Sequence, residues 1–119
     1  MTPAEAFDPT EHIPLTPIAF EILLSLMEDD LHGYAIMQTV EERSGGATSL
    51  HAGTLYRALS RLVDGGFIEE LEEAPGSETD GRRRYYRITT AGRSVARAEA
   101  LRLEAQLGAA RAHGLLGPA

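Results

Sequence analysis

Four stretches of the chain carry apolar residues at helical spacing. The clearest is residues 51–68, where Leu55, Leu59 and Leu62 fall at i, i+4 and i+7 and form one apolar stripe that a helix must bury. Gly65-Gly66 ends this helix, since one of the two glycines suits a left-handed cap. Three further helices are predicted: one that opens at Thr16-Pro17 and stops at the acids 28–30, one over residues 34–43, and one over residues 90–112 that Thr89 caps.

Two other stretches have the pattern of strands. Residues 67–73 and 82–88 are joined by APGSETDG, a segment rich in turn-forming residues, so the pair is predicted to form a hairpin with a long polar tip. A turn is predicted at residues 31–33. Residues 47–50 are predicted to be a short extended segment or a one-rung strand.

The order of these elements (helix, helix, short extended segment, helix, hairpin) is the layout of a winged helix-turn-helix. We therefore predict a mainly α fold with a small β hairpin, in which the third helix enters the major groove of DNA and the hairpin is the wing. The predicted organisation is a flexible N-terminal arm over residues 1–14, a winged helix-turn-helix domain over 15–89, a C-terminal dimerisation helix over 90–112 and a frayed tail over 113–119.

The last helix has an apolar stripe for which the pattern offers no partner in the same chain. Its members recur at intervals of 4, 3, 4 and 3 residues, close to a coiled-coil seam. A second copy of the protein is the simplest partner for such a stripe. A homodimer is therefore predicted to form through Ala96, Ala100, Leu103, Leu107 and Ala110.

The charged residues bear on the predicted DNA binding mainly at the hairpin. The formal net charge of −7 argues against a general nucleic-acid binder, which usually has a basic surplus. All 11 basic residues are arginines, however, and the predicted wing contains Arg82, Arg83, Arg84 and Arg87 within six positions. Such a cluster can hold phosphates. The alternative is that these arginines balance acids across the hairpin, namely Glu69, Glu70, Glu72 and Glu73.

Several classes of function find no support in the sequence. The chain has no cysteine for a disulfide or a thiolate metal site, and its four histidines lack local ligand spacing. It has no phosphate-binding glycine loop, no nucleophile elbow, no HExxH and no lysine for Schiff-base chemistry. We predict no enzymatic activity, no cofactor and no metal. The absence of a signal-peptide pattern and of a bilayer-spanning run predicts a cytoplasmic protein without membrane contact.

The outer face of the third helix mixes short hydrogen-bonding side chains with two arginines, as suits a helix in the major groove. The alternative is an ordinary solvated face. Tyr56, beside the apolar stripe, is equally suited to packing on the hairpin and to donating its hydroxyl to a phosphate. The predicted DNA contacts are His51 at the start of the helix, Thr54, Tyr56, Arg57, Ser60 and Arg61 along it, and Arg82, Arg83 and Arg84 on the wing.

Four blocks of the sequence resemble the PadR family of bacterial transcriptional regulators, in the expected order over residues 15 to 107. They are HGYAI (32–36), GTLYRALSRL (53–62), GGFI (65–68) and RRRYYRITTAG (82–92). The single short C-terminal helix resembles the smaller subfamily of these regulators. The resemblance implies a homodimeric repressor that binds double-stranded DNA, with the C-terminal helices as dimer interface and the wing completing the DNA contact. It also implies a small-molecule effector in some members.

The sequence departs from the family pattern in two places. Ser-Pro commonly precedes Gly-Thr-Leu-Tyr in the family, whereas His51-Ala52 stands there in this chain. Histidine is a poorer N-cap than serine, so the recognition helix is expected to start less firmly, although a protonated His51 could contact a phosphate. Drug-binding members stack planar ligands on tryptophans at the dimer interface. This chain has no tryptophan, so that mode of binding is not expected.

The sequence thus predicts a sequence-specific DNA-binding regulator, a dimeric repressor on an inverted-repeat operator. Two-fold symmetry would place the half-sites about one helical turn (~34 Å) or a multiple apart. Two other functions stay open. One is a winged-helix protein-interaction module that does not bind DNA, which the net charge favours. The other is a small-molecule sensor whose DNA role is secondary.

Overall fold

A computed structural model describes residues 7–47, 50–72 and 84–117. Helices predominate, and the sheet is small, so the predicted mainly α class is confirmed. The helices within the described ranges are a 3-10 helix at Pro9–His12, α1 (Pro17–Ser25), α2 (Gly33–Arg43), α3 (Ala52–Asp64) and α4 (Thr90–Ala112). The strands are β1 (Leu31–His32), β2 (Ile68–Leu71) and β3 (Tyr85–Ile88).

Threonine caps fix the starts of the first and last helices where the sequence predicted them. The Thr16 hydroxyl accepts a hydrogen bond from the Ala19 amide at 3.1 Å, with proline in the first turn. The Thr89 hydroxyl accepts one from the Gly92 amide at 3.0 Å. Each bond satisfies a backbone donor that the first turn of a helix would otherwise leave free. The predicted starts of α1 and α4 are confirmed.

The sheet is antiparallel in the order β1-β3-β2. The predicted hairpin is confirmed in its two described arms, where Ile68 pairs with Ile88 and Leu71 with Tyr85. The third strand is not where the sequence suggested a rung. It lies at Leu31–His32, the site of the predicted turn, and pairs with β3. Two residues are too few to show alternation, and their partners are more than fifty positions away in the chain. Of the predicted rung at 47–50, residues 48–49 lie outside the described residues.

The core lies between α1, α2 and α3 and is closed by the sheet and the start of α4. The predicted stripe of α3 faces it, with Leu55 0%, Leu59 1% and Leu62 5% exposed. Packing of these leucines fixes the orientation of α3, so its opposite face is turned to solvent. The other buried apolar residues are Ile22, Leu23, Leu26, Ile36, Val40, Ile68, Tyr86, Ile88, Val95 and Ala96.

The first half of α4 packs within its own chain, so the prediction that this helix lacks an internal neighbour is wrong for that half. Val95 and Ala96 are 0% and 5% exposed, and the helix contacts both α1 and the 3-10 helix. Ala96, which the seam pattern assigned to dimerisation, therefore belongs to the core of the single chain. The helix continues beyond this packed part to Ala112, and most of that second half is exposed.

The 3-10 helix supplies the neighbour that the sequence pattern missed. His12 stacks on Phe7 with ring centroids 5.4 Å apart and meets Phe67 edge-on at 5.2 Å. These contacts place residues 7–14 against the domain, so the boundary predicted at residue 15 is too late. Residues 1–6 of the predicted arm lie outside the described residues. No helix in the described ranges is both long and apolar enough to cross a membrane.

Candidate nucleic-acid interface

The outer face of α3 is an exposed polar surface with Arg57 at its centre. At ~100° per residue, Arg57 is roughly 160° around the helix from Leu59, which is fully buried. Arg57, Ser60 and Arg61 are exposed, and Thr54 is half-buried. The predicted helical contacts therefore share one surface, and solvent can reach it.

The arginines of this face are held only loosely. The Arg57 guanidinium donates to the Thr54 hydroxyl at 3.4 Å, near the limit of a hydrogen bond. Within the described ranges, neither Arg57 nor Arg61 forms an ion pair with an acid. Both guanidinium groups are therefore available to a base edge or a phosphate.

Two other elements border the outer face of α3. On one side, Tyr56 and Ser60 line a cleft together with the wing residues Glu70, Arg84 and Tyr86. On the other side, Arg61 lies beside a groove lined by Thr16, Leu62 and other residues next to the start of α1. A DNA backbone that follows the groove walls could contact both borders while α3 lies between them.

Tyr56 fills a space that a side chain on α2 would otherwise occupy. A Cβ atom built on Gly33 would lie 2.7 Å from the Tyr56 hydroxyl oxygen, closer than such atoms approach. Glycine at the start of α2 therefore permits this contact between α2 and α3. The ring is nevertheless 53% exposed. Tyr56 thus packs against the start of α2 and lines the cleft beside the wing, while a hydroxyl contact to a phosphate stays a prediction.

A surface cleft of about 430 Å³ separates the start of α2 from the wing. Tyr86 forms part of its wall and is 6% exposed. Burial raises the pKa of the Tyr86 phenol, so the group stays protonated and can act as a hydrogen-bond donor. The walls of the cleft come from His32, Gly33, Tyr34, Tyr56, Glu70, Arg84 and Tyr86.

At the base of the wing, arginines pair with acids. Arg84 donates to the Glu70 carboxylate at 2.6 Å, which raises the pKa of its guanidinium, and Arg87 pairs with Asp30 at 2.8 Å. The side chain of Arg84 is 69% exposed, and an exposed pair of this kind is weak and screened by salt. The cross-strand pairing considered for the cluster thus occurs at Arg84. The predicted contacts Arg82 and Arg83 lie outside the described residues.

Two histidines precede helices and behave differently. His51 occupies the N-cap position of α3 but makes no capping hydrogen bond, as expected for a residue in place of serine. His32 caps α2, because its Nδ1 accepts from the Ala35 amide at 3.2 Å. The sequence predicted only a turn at this position. The sequence signal for an N-cap at His32 was a polar side chain three positions before a backbone amide of the predicted helix.

The second half of α4 carries the other predicted functional surface. Leu107 is 50% exposed, Ala100 is exposed, and Leu103 and Ala110 are half-buried. Leu101, about 120° away around the helix, is also 50% exposed. No group of three His, Cys, Asp or Glu residues suited to a metal ion occurs in the part of the chain that the structure describes.

Comparison with known proteins places these features in a family. The model of the transcriptional regulator PadR-like family matches residues 22–98, which span α2, α3, the sheet and the buried half of α4. Over 74 residues the chain is 35% identical to an uncharacterised protein of Lysinibacillus sphaericus. That match covers 61% of this chain and 65% of the relative, so the chain spans slightly less than two thirds of its length.

Two solved structures share the fold. A PadR family transcription regulator from Clostridium difficile superposes with a TM-score of 0.73 at 27% identity, covering 86% of this chain and 100% of that one. The PadR protein of Bacillus subtilis, solved in complex with operator DNA, gives a TM-score of 0.60 at 25% identity. That match covers 70% of this chain and 47% of the Bacillus chain.

Proposed function

The chain belongs to the PadR-like family of transcriptional regulators, and we propose that it is a homodimeric repressor that binds an inverted-repeat operator. Members of this family regulate transcription and are not enzymes, in agreement with the absence of catalytic motifs in the sequence.

The proposal is supported mainly by the contrast between the buried and the exposed sides of α3. Its apolar side is fully engaged in the core, whereas Arg57 projects from the opposite side and forms no ion pair with an acid among the described residues. An arginine in this position can fork onto the O6 and N7 atoms of guanine. Arg61 and Ser60 lie within one turn of the same face and supply further contacts to bases or phosphates.

Residues around α3 would hold the DNA backbone. Tyr56 offers a hydroxyl at the wing side, and Arg84 follows on the wing itself. His51 is exposed at the start of α3 and, when protonated, would attract a phosphate to the positive end of the helix dipole. Such contacts set the register of the protein and carry no sequence information themselves. Arg82 and Arg83, next to Arg84 in the sequence, would extend this backbone contact.

A second copy would cover the exposed part of α4. Leu103 and Leu107 are separated by one turn; Leu107 is 50% exposed and Leu103 is half-buried, so two such helices could bury the exposed parts of both side chains against each other. Ala100 and Ala110 have small side chains on the same stripe and would let the two helices approach closely. The resulting two-fold axis would present two recognition helices to two half-sites.

The Bacillus subtilis relative supports DNA as the partner, since it was solved with operator DNA. Repression would then be steric, because a bound dimer occupies the operator. An effector, where one exists, would act by tilting the α4 pair and so changing the distance between the recognition helices.

Replacing Arg57 tests this assignment. Arg57→Ala should weaken operator binding by about 1–3 kcal/mol and relax the preference at one base position, because a bidentate guanine contact is lost. The measurement is a competition titration with a panel of single-base operator variants. Arg97→Ala removes an exposed arginine of α4 from outside the interface and should leave both affinity and preference unchanged.

An equal loss on every sequence would show that Arg57 contacts only the phosphate backbone. No loss at all would remove α3 from the interface.

A second function, protein recognition without DNA, is favoured by the net charge of −7 and by the acids that engage Arg84 and Arg87. It predicts that wild-type protein selects no DNA sequence.

A further inference from the structure

Glu99 is a buried carboxylate in the middle of α4. Its exposure is 2%, and it is the one buried charged side chain in the described part of the molecule. A carboxylate loses strong hydration when it is buried, so it must be compensated by partners with good geometry. None of the DNA contacts proposed above involves Glu99.

Two partners compensate the charge. Arg102, one turn further along α4, forks onto the carboxylate with distances of 2.9 Å from Nε to Oε1 and 2.6 Å from Nη2 to Oε2. The Leu15 amide donates to Oε1 at 3.2 Å. The bonds from Arg102 hold the pKa of Glu99 below its usual value, so the group is ionised.

The bond to Leu15 connects two parts of the fold that are 84 residues apart in sequence. Leu15 directly precedes Thr16, the N-cap of α1. Glu99 therefore ties the middle of α4 to the start of the first helix of the winged-helix domain. Apolar contacts between these helices have no strong directional preference, whereas a hydrogen bond and a forked ion pair do.

Glu99 lies where the buried part of α4 ends. Val95, Ala96 and Glu99 are the last buried residues of the helix, and Ala100 and Leu101 are already exposed. Glu99 thus lies at the junction between the half that packs in the domain and the half assigned to the dimer. A change of angle at this junction would therefore turn the whole winged-helix domain, including α3, relative to the half of α4 assigned to the dimer.

We propose that Glu99 is a positioning residue: it fixes the angle at which α4 leaves the winged-helix domain and thereby the distance between the two recognition helices of the dimer. This inference rests on the proposed homodimer. It assigns the spacing of the operator half-sites to a buried contact that is not itself one of the proposed DNA contacts.

Spin-label distances test the inference without DNA. The chain has no cysteine, so Gln38→Cys on the exposed side of α2 places a single label on each subunit. The labelled Gln38→Cys protein without further substitution should give one narrow distribution of inter-subunit distances by pulsed electron paramagnetic resonance. Glu99→Gln keeps an oxygen for the Leu15 amide but loses the charge and the fork to Arg102. It should broaden or shift the distribution and widen the range of half-site spacings that the protein accepts.

Glu21→Gln provides the matched control. Glu21 forms an ion pair of 2.8 Å with Arg43 between α1 and α2, inside the domain and away from α4. Its loss should leave the inter-subunit distances unchanged. Arg102→Lys is the second variant, used if Glu99→Gln does not fold; it keeps the charge, loses the fork and should also broaden the distribution.

The outcomes separate the two proposals. If Glu99→Gln, or Arg102→Lys in its place, gives a distance distribution with the same width and the same centre as the labelled protein without that substitution, the role of Glu99 is overturned. The proposed dimer is unaffected by that result. The absence of an inter-subunit distance in the labelled Gln38→Cys protein would overturn the dimer, and the role of Glu99 with it.

Discussion

The arginines of the proposed interface differ in what they contact within the protein. Arg57 makes one long hydrogen bond to a neighbouring hydroxyl, whereas Arg84 is held by Glu70 at 2.6 Å. Binding of a phosphate by Arg84 must therefore displace or share a carboxylate. Glu70 should act as a competitor that weakens the wing contact. This competition can be tested at the level of a single residue.

Glu70→Gln should release Arg84 for the DNA backbone. One additional phosphate contact makes the slope of log K against log salt steeper by about 0.9. The measurement is a series of operator titrations between low and moderate salt. Glu69→Gln removes the same charge from the neighbouring position of β2 and serves as control, since Glu69 pairs in the register with Arg87 rather than Arg84. Identical slopes for the two variants would show that Glu70 does not compete for Arg84.

At the scale of elements, the start of α4 depends on close contact with the end of α3. The Thr89 hydroxyl donates to the Gly66 carbonyl at 2.6 Å and accepts from the Gly92 amide, which ties the helix to the turn that follows α3. Gly92 is buried, and a Cβ atom there would overlap the carbonyl oxygen of Phe67. Glycine is required because the Phe67 backbone and α4 approach each other without room for a side chain.

Gly92→Ala should destabilise the fold by about 1–3 kcal/mol, because backbone atoms cannot move aside as a flexible side chain can. Gly108→Ala is the control in the same helix. It has open space around the position, so it should stabilise the helix by up to about 1 kcal/mol. Urea unfolding measures both changes. Equal midpoints for the two variants would contradict the close approach at Gly92.

The sequence predicted the elements whose signals are local. The leucine stripe of α3, the threonine caps at Thr16 and Thr89 and the two arms of the hairpin all lie within short windows, and the structure confirms them. The strand β1 was missed because its two residues are extended only through pairing with Tyr85 and Tyr86. The packing of the 3-10 helix was missed because it depends on Phe67, far along the chain.

The candidate site was predictable to a similar extent. The exposed face of α3 follows from helical periodicity alone, so Arg57 and Arg61 could be named from the sequence. The contact of Tyr56 with Gly33 and the role of Glu99 could not. Each depends on the three-dimensional meeting of separate segments, and a lone glutamate among many gives no sign that it will be buried.

At the scale of the whole molecule, the exposed leucines of α4 predict association. Leu107→Glu places a charge in the proposed seam and should give monomers by light scattering, because an unpaired buried charge is strongly unfavourable. Leu101→Glu is the control, since Leu101 is equally exposed but lies on another face of the helix. Truncating the chain at Arg93 would test the interface less well, because the truncation also removes Val95, which is buried in the core of the domain. A dimeric Leu107→Glu variant would place the interface elsewhere.

The symmetry of the operator depends on both dimerisation and DNA recognition. Selection of genomic fragments by the purified full-length protein, followed by sequencing, measures both at once. The proposed homodimer predicts enrichment of an inverted repeat whose half-site centres lie about one helical turn (~34 Å) or a multiple apart. Enrichment of no sequence, or of a single site without two-fold symmetry, would contradict it.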